Sequence, residues 1–90
     1  MSVKISVPLG WQRFTHEKEV AEVNGSTVGE CLNHLAKQFP GIEGEFLDED
    51  GKVLPYVDIY VNGKSSYPEE LAKPVKGGDE LYILQAIGGG

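Results

Sequence analysis

Val3, Ile5 and Val7 alternate with Lys4, Ser6 and Pro8 at the start of the chain. A period of two predicts a half-buried strand over Met1–Pro8. Gly10 interrupts the pattern, and Leu9–Thr15 reads as a loop. Extended structure resumes over Glu17–Val23, with Ala21 and Val23 the inward candidates. The first two strands are expected to form a hairpin.

The period then changes. Val28, Cys31, Leu32, Leu35 and Phe39 recur at three- and four-residue spacing, which places them on one face of a helix. Thr27 is placed to be its N-cap, with Glu30 three residues on completing a capping box. Pro40-Gly41 ends it. Gly29 costs about 1 kcal/mol relative to Ala inside a helix, which the first turn tolerates.

Ile42–Pro55 is a long connection with a turn at Asp50-Gly51. Val57, Ile59 and Val61 alternate with Asp58, Tyr60 and Asn62 as another strand. Asn62-Gly63 is a strong hairpin signal, because both residues tolerate the positive φ of a type I′ turn. Lys64–Tyr67 reads as a short return strand and Pro68–Leu71 as a helical turn. Lys76–Asp79 turns tightly into a last strand, Glu80–Ile87, with Leu81 and Ile83 on one side and Tyr82 and Leu84 on the other.

One helix must cover one face of a mixed sheet of four to five strands, which is a two-layer α+β arrangement. The last strand is apolar on both faces and is expected at mid-sheet. With the first and last strands side by side, the architecture is the β-grasp, or ubiquitin-like, fold. The expected division is a β-grasp domain over 1–87 and a flexible glycine tail over 88–90.

Ninety residues, 40% apolar and 24% charged, fit one ordinary folded domain. Fourteen acids against eight bases give a net charge of −6, which phosphate backbones would repel, so no nucleic-acid partner is expected. The bases are missing altogether from Glu43–Asp50, "EGEFLDED"; this stretch reads as a solvated loop, with an electrostatic docking edge as the alternative. A single cysteine permits no internal disulfide. No apolar run reaches a membrane span of roughly 18 residues, and "MSVKISVPLG" lacks the apolar core of a signal peptide. A cytoplasmic location, with no membrane partner, is expected.

Catalytic side chains are hard to find. His16 sits near a loop edge, and His34 lies off the apolar stripe and reads as solvated. Neither stands at a metal-ligand spacing with Cys31, so no metal site is expected. Cys31 belongs to the apolar stripe and reads as an unreactive core residue. The sheet face away from the helix carries Pro8, Tyr60, Tyr82 and Leu84, more apolar than an open face requires. These four, with Ile87 at the end of the last strand, are the candidate partner-binding residues. Trp11 and Phe14 either extend this patch or cap the core.

The chain ends "LYILQAIGGG". The five residues from Ala86 to Gly90 reach about 17 Å when extended. Glycines lack Cβ, so Gly88 and Gly89 suit a tail that threads a narrow tunnel in another protein's active site. The reacting group would be the terminal carboxylate of Gly90.

These pieces resemble the MoaD/ThiS family of ubiquitin-like sulfur carriers. The matching segments are "TVGECLNHLAKQFPG", "LDEDGKVLPYVDIYVNGK" and "GGDELYILQAIGGG", in that order. The family often has Pro where Gln85 stands and Ala or Ser where Gly88 stands. The long loop before "DIYVNG" and the tail look most like CysO-type carriers of cysteine biosynthesis. Molybdopterin synthase small subunits come next, then thiamine-thiazole carriers.

The resemblance implies a co-substrate with no bound cofactor. An adenylating enzyme akin to ubiquitin activators would use ATP and Mg²⁺ to convert the Gly90 carboxylate to an acyl-adenylate. A sulfur-donor enzyme would then leave a thiocarboxylate, and a sulfur-acceptor enzyme would consume it. With Gly90 last, no protease is needed to expose the diglycine. The chain would be no enzyme itself, though it could be a non-catalytic subunit of a molybdopterin-synthase-like complex. A ubiquitin-like modifier joined through Gly90 to lysines is the alternative, and an interaction module with an inert tail is the third.

Overall fold

Five strands form one mixed sheet in the order β2-β1-β5-β3-β4. The computed structural model describes residues 2–85. Strand β1 (Val3–Ser6) pairs antiparallel with β2 (Val20–Val23) and parallel with β5 (Glu80–Gln85). On its other side β5 pairs antiparallel with β3 (Val57–Val61), which turns back into β4 (Lys64–Ser65). The first and last strands are therefore neighbours and β5 is central, as its two-sided apolar pattern predicts. Asn62 (φ 51°) and Gly63 (φ 87°) make the expected positive-φ turn between β3 and β4. Ala86 and Ile87, expected to prolong β5, and the domain boundary after Ile87 lie outside the described residues.

Helix α1 (Val28–Gln38) lies across the sheet and buries Val28, Cys31, Leu32 and Leu35. They share one core with Val3, Ile5, Val7, Ile59, Val61, Leu81 and Ile83. Each fully buried aliphatic side chain contributes about 1.5–3 kcal/mol, so this stripe fixes the helix to the sheet. Thr27 is the N-cap, its hydroxyl accepting the Glu30 N–H at 3.1 Å. The capping box closes differently from expectation. The Glu30 carboxylate accepts from the N–H and hydroxyl of Ser26, both at 2.8 Å. An antiparallel bridge between Thr27 and Pro74 keeps the chain extended here and presents Ser26 to the carboxylate. Gly29 also has a packing reason, because a Cβ there would stand 3.1 Å from the Leu71 carbonyl oxygen.

Four local expectations are corrected. Leu9–Phe14 is a 3-10 helix, held by a Trp11 N–H to Pro8 C=O bond of 2.9 Å. Strand β2 begins at Val20 rather than Glu17 because His16 and Glu17 take positive φ in a tight turn. Buried Thr15 anchors that turn by donating its hydroxyl to the Lys18 carbonyl at 2.9 Å. The return strand covers only Lys64–Ser65, because the Tyr67 N–H turns back to the Ser65 hydroxyl at 3.2 Å instead of continuing the ladder. The following helical turn is Glu70–Ala72.

Trp11 and Phe14 both belong to the core side. Trp11 is 1% exposed, with its ring centroid 5.8 Å from that of Phe46. Phe14 packs partly buried against the core, with the Arg13 guanidinium 4.7 Å above its ring. Phe46 is fully buried although it sits within the acidic stretch. Around it Glu43, Asp48, Glu49 and Asp50 are exposed, while Glu45 lies 3.9 Å from Arg13.

Candidate functional site

The strand registers assemble the face turned away from α1. Ser6 pairs with both Val20 and Tyr82, Tyr82 with Tyr60, and Tyr60 with Ser65. Paired residues share a face, so one row crosses all five strands: Val20, Ser6, Tyr82, Tyr60, Ser65. Tyr82 is 47% exposed, Val20 is similarly exposed, and Tyr60 is half-buried. Leu84 is 50% exposed and stands opposite Asp58, whose carboxylate accepts the Ser65 hydroxyl at 2.9 Å. Asp58 is thus engaged sideways along the sheet, beside the leucine. Pro8, half-buried, lies two residues beyond Ser6 in the direction in which Leu84 lies beyond Tyr82. The structure therefore brings Pro8, Tyr60, Tyr82 and Leu84 together at one end of the outer face. Ile87, Gly88, Gly89 and Gly90 lie outside the described residues.

Two further residues stand at that end. Gln85 pairs with Val57, and the residue before Val57 is Tyr56, which is exposed. Leu9, just past β1, is 83% exposed. The parity of Tyr56, Asp58 and Tyr60 was the available signal for Tyr56. Nothing in the pattern marks Leu9, because Trp11 and Phe14 in the same segment turn inward.

The other end of β5 is locked by polar side chains. Asn62 donates its amide to Asp79 Oδ1 at 3.0 Å and accepts the Glu80 N–H at 3.0 Å. The Lys76 N–H donates to Asp79 Oδ2 at 2.9 Å. The Asn62 amide, followed by the Lys76 N–H, holds the Asp79 carboxyl below its usual range. This clamp fixes where β5 starts against β3 and so which residues face outward along it.

The remaining candidates serve the fold. His34 is half-buried rather than solvated, and its Nδ1 accepts the Asn24 N–H at 2.8 Å. One turn later Gln38 donates to the Glu22 carbonyl at 2.9 Å, so the two side chains tie α1 to the edge of β2. His16 is exposed, its ring edge-on to Phe39 at 6.3 Å. Cys31 is buried, and desolvation, reinforced by Glu30 and Asp79, pushes its thiol up to about 11. Among the described residues, no three His, Cys, Asp or Glu side chains cluster as a metal site, and no helix is long and apolar enough to cross a membrane.

Comparison with known proteins places this geometry in a group. A candidate sulfur carrier protein of Archaeoglobus fulgidus is 30% identical over 92 residues, spanning 100% of both chains. Small archaeal modifier protein 3 of Haloferax volcanii is 30% identical over 66 residues, 72% of this chain and 71% of that one. A chain of the Amycolatopsis orientalis BexX/CysO complex matches with a TM-score of 0.90 at 30% identity, covering 98% of this chain and 99% of that one. The model of the ThiS family matches residues 9–90. That match takes in β2 to β5 and the helix and runs on to the final glycine, and the chain belongs to the ThiS family.

Proposed function

We propose that this chain is a sulfur carrier whose reacting group is the Gly90 carboxylate. An adenylating enzyme docks on the outer sheet face and draws in the tail through Gly88 and Gly89. The carboxylate attacks the α-phosphorus of ATP, with Mg²⁺ held by that enzyme, and pyrophosphate leaves. Sulfide then displaces AMP from the acyl carbon and leaves a thiocarboxylate. A persulfide donor instead gives an acyl disulfide, which a thiol cleaves to the same thiocarboxylate, the thiol ending as a disulfide with the donor. A sulfur-acceptor enzyme takes the tail in turn, and the sulfur passes to a small molecule in a cysteine-type or molybdopterin-type pathway. The chain is the co-substrate; the catalysts are its partners. Because they must take the tail in turn, one face near the base of the tail suits both.

The observation that carries this reading is the family match through Gly90 on a chain whose central strand leads into the tail. The outer face supports it: Leu84 and Tyr82, on the strand that carries the tail, are half exposed. Deletion of Gly90 tests it. The account expects sulfur transfer to be abolished and the melting temperature unchanged. Retained transfer would remove Gly90 from the mechanism.

The likeness to an archaeal modifier protein favours a second reading, in which Gly90 forms an isopeptide with lysines of other proteins. Adducts in cell extract that survive reducing agent and vanish on Gly90 deletion would support conjugation.

A further inference from the structure

A second surface lies on the helical side of the molecule. Gly29 lets Leu71 approach α1 closely, and beside this contact runs a groove of about 310 Å³. Leu32, Ala36, Leu47 and Leu71 form its apolar walls, and Glu30 and Glu43 stand at its rim. It continues past Glu43 and Leu47 into a shallower depression lined by Asp48 and Glu49. The size is at the low end of ligand pockets, about 300–1,000 Å³, and suits one or two aliphatic side chains rather than a cofactor.

Charge selects the occupant. Glu43, Asp48 and Glu49 are exposed, and no base lies between Glu43 and Asp50. Glu30 is fixed by its two bonds from Ser26, which also hold its carboxyl below the usual range. Lys73, near Leu71 in the chain, is paired with Glu69 at 3.7 Å. An apolar floor inside a carboxylate rim favours an apolar side chain flanked by cations, and it steers such a segment from a distance. A second copy of this chain, also at −6, is disfavoured.

We propose that this groove between α1 and the Glu70–Ala72 turn docks a basic, leucine-bearing segment of a partner protein. The site is on the helix side of the sheet, away from Tyr82 and Leu84. A partner held here leaves the outer face open for a second protein at the same time. The inference does not depend on the sulfur-carrier reading.

The test is a titration of the ¹⁵N-labelled full chain with a synthetic hexapeptide carrying two leucines flanked by lysine and arginine. Amide shifts are expected at Gly29, Ala36, Glu43, Leu47 and Leu71, with Tyr60, Tyr82 and Leu84 unmoved. Replacing two attractive charge pairs by repulsive ones makes Glu43→Lys combined with Glu49→Lys weaken binding by roughly tenfold. Both residues are exposed, so the fold is kept. Ala36→Arg, which fills the groove, is expected to weaken binding similarly. The proposal is overturned if no shifts occur, if they fall on the outer face, or if the charge-reversed variant binds unchanged. Equal binding of a peptide with glutamine for every base would also overturn it. So would concentration-dependent shifts of the same residues without peptide, which would make the occupant a second copy.

Discussion

Tyr60 and Tyr82 stand directly opposite each other across β3 and β5, on the face of the sheet turned away from the helix. Cross-strand partners on one face contribute up to about 1 kcal/mol to a sheet. The half-exposed Tyr82 also offers a broad apolar body with a polar tip, which suits a protein partner. Tyr82→Ala is therefore expected to cost at most about 1 kcal/mol in denaturant unfolding.

Leu84→Asp separates docking from folding more sharply. Leu84 is half exposed, so the substitution leaves the core intact while placing a carboxylate beside Asp58 in the patch. The account expects affinity for the adenylating enzyme to fall roughly tenfold or more, as for an interface anchor. Calorimetric titration of the two proteins checks this, and unchanged affinity would remove the outer face from the docking model.

Gly25 packs tightly against the first turn of α1. A Cβ there would lie 2.8 Å from the Cys31 backbone nitrogen and 2.9 Å from its Sγ. The helix backbone cannot yield as a flexible side chain would. Gly25→Ala is expected to destabilise the domain by about 1–3 kcal/mol, the cost of overpacking. Thermal unfolding reads this as a drop of several degrees; an unchanged midpoint would contradict the packing of this loop on α1.

Asp79 sets an acid dependence. Its carboxyl, ordinarily 3.8, is depressed in the folded chain by the Asn62 amide and the Lys76 N–H. A depressed folded value contributes stability above 3.8 that is lost as pH falls through the folded value. Asp79→Asn is expected to lower the melting temperature most near neutral pH. The gap from the natural chain should narrow at pH values below 3.8. A gap independent of pH would show that the carboxylate's charge is not what the clamp uses.

Cys31 is expected to be inert. With its thiol at about 11, only about one molecule in a thousand carries the thiolate near pH 8. A disulfide reagent should label the folded chain at least a hundredfold more slowly than the chain in guanidinium. Fast labelling would overturn its burial. The sulfur in the proposed transfer does not ride on this residue.

The sheet was legible because alternation fixes which strand residues face inward, and Val3, Ile5, Val7, Ile59, Val61, Leu81 and Ile83 all do. The outer face followed as their complement. Long-range packing was not legible. Phe46 is surrounded by acids in sequence and belongs to the core only because the chain folds back onto Trp11. His34 looked solvated because helical periodicity does not report that the end of β2 offers it the Asn24 N–H. The start of β2 moved because the left-handed backbone at His16 and Glu17 leaves no trace in an apolar pattern. Leu9 lies in a connection, where parity gives no guidance.

In the proposed mechanism Gly90 carries the sulfur. Intact-protein mass, measured after incubation with ATP, Mg²⁺, a sulfide source and the host's adenylating enzyme, tests it directly. The account predicts a gain equal to replacing one oxygen by sulfur, localised by fragmentation to Gly90. No gain, with the enzyme active on a known carrier in the same buffer, would contradict it.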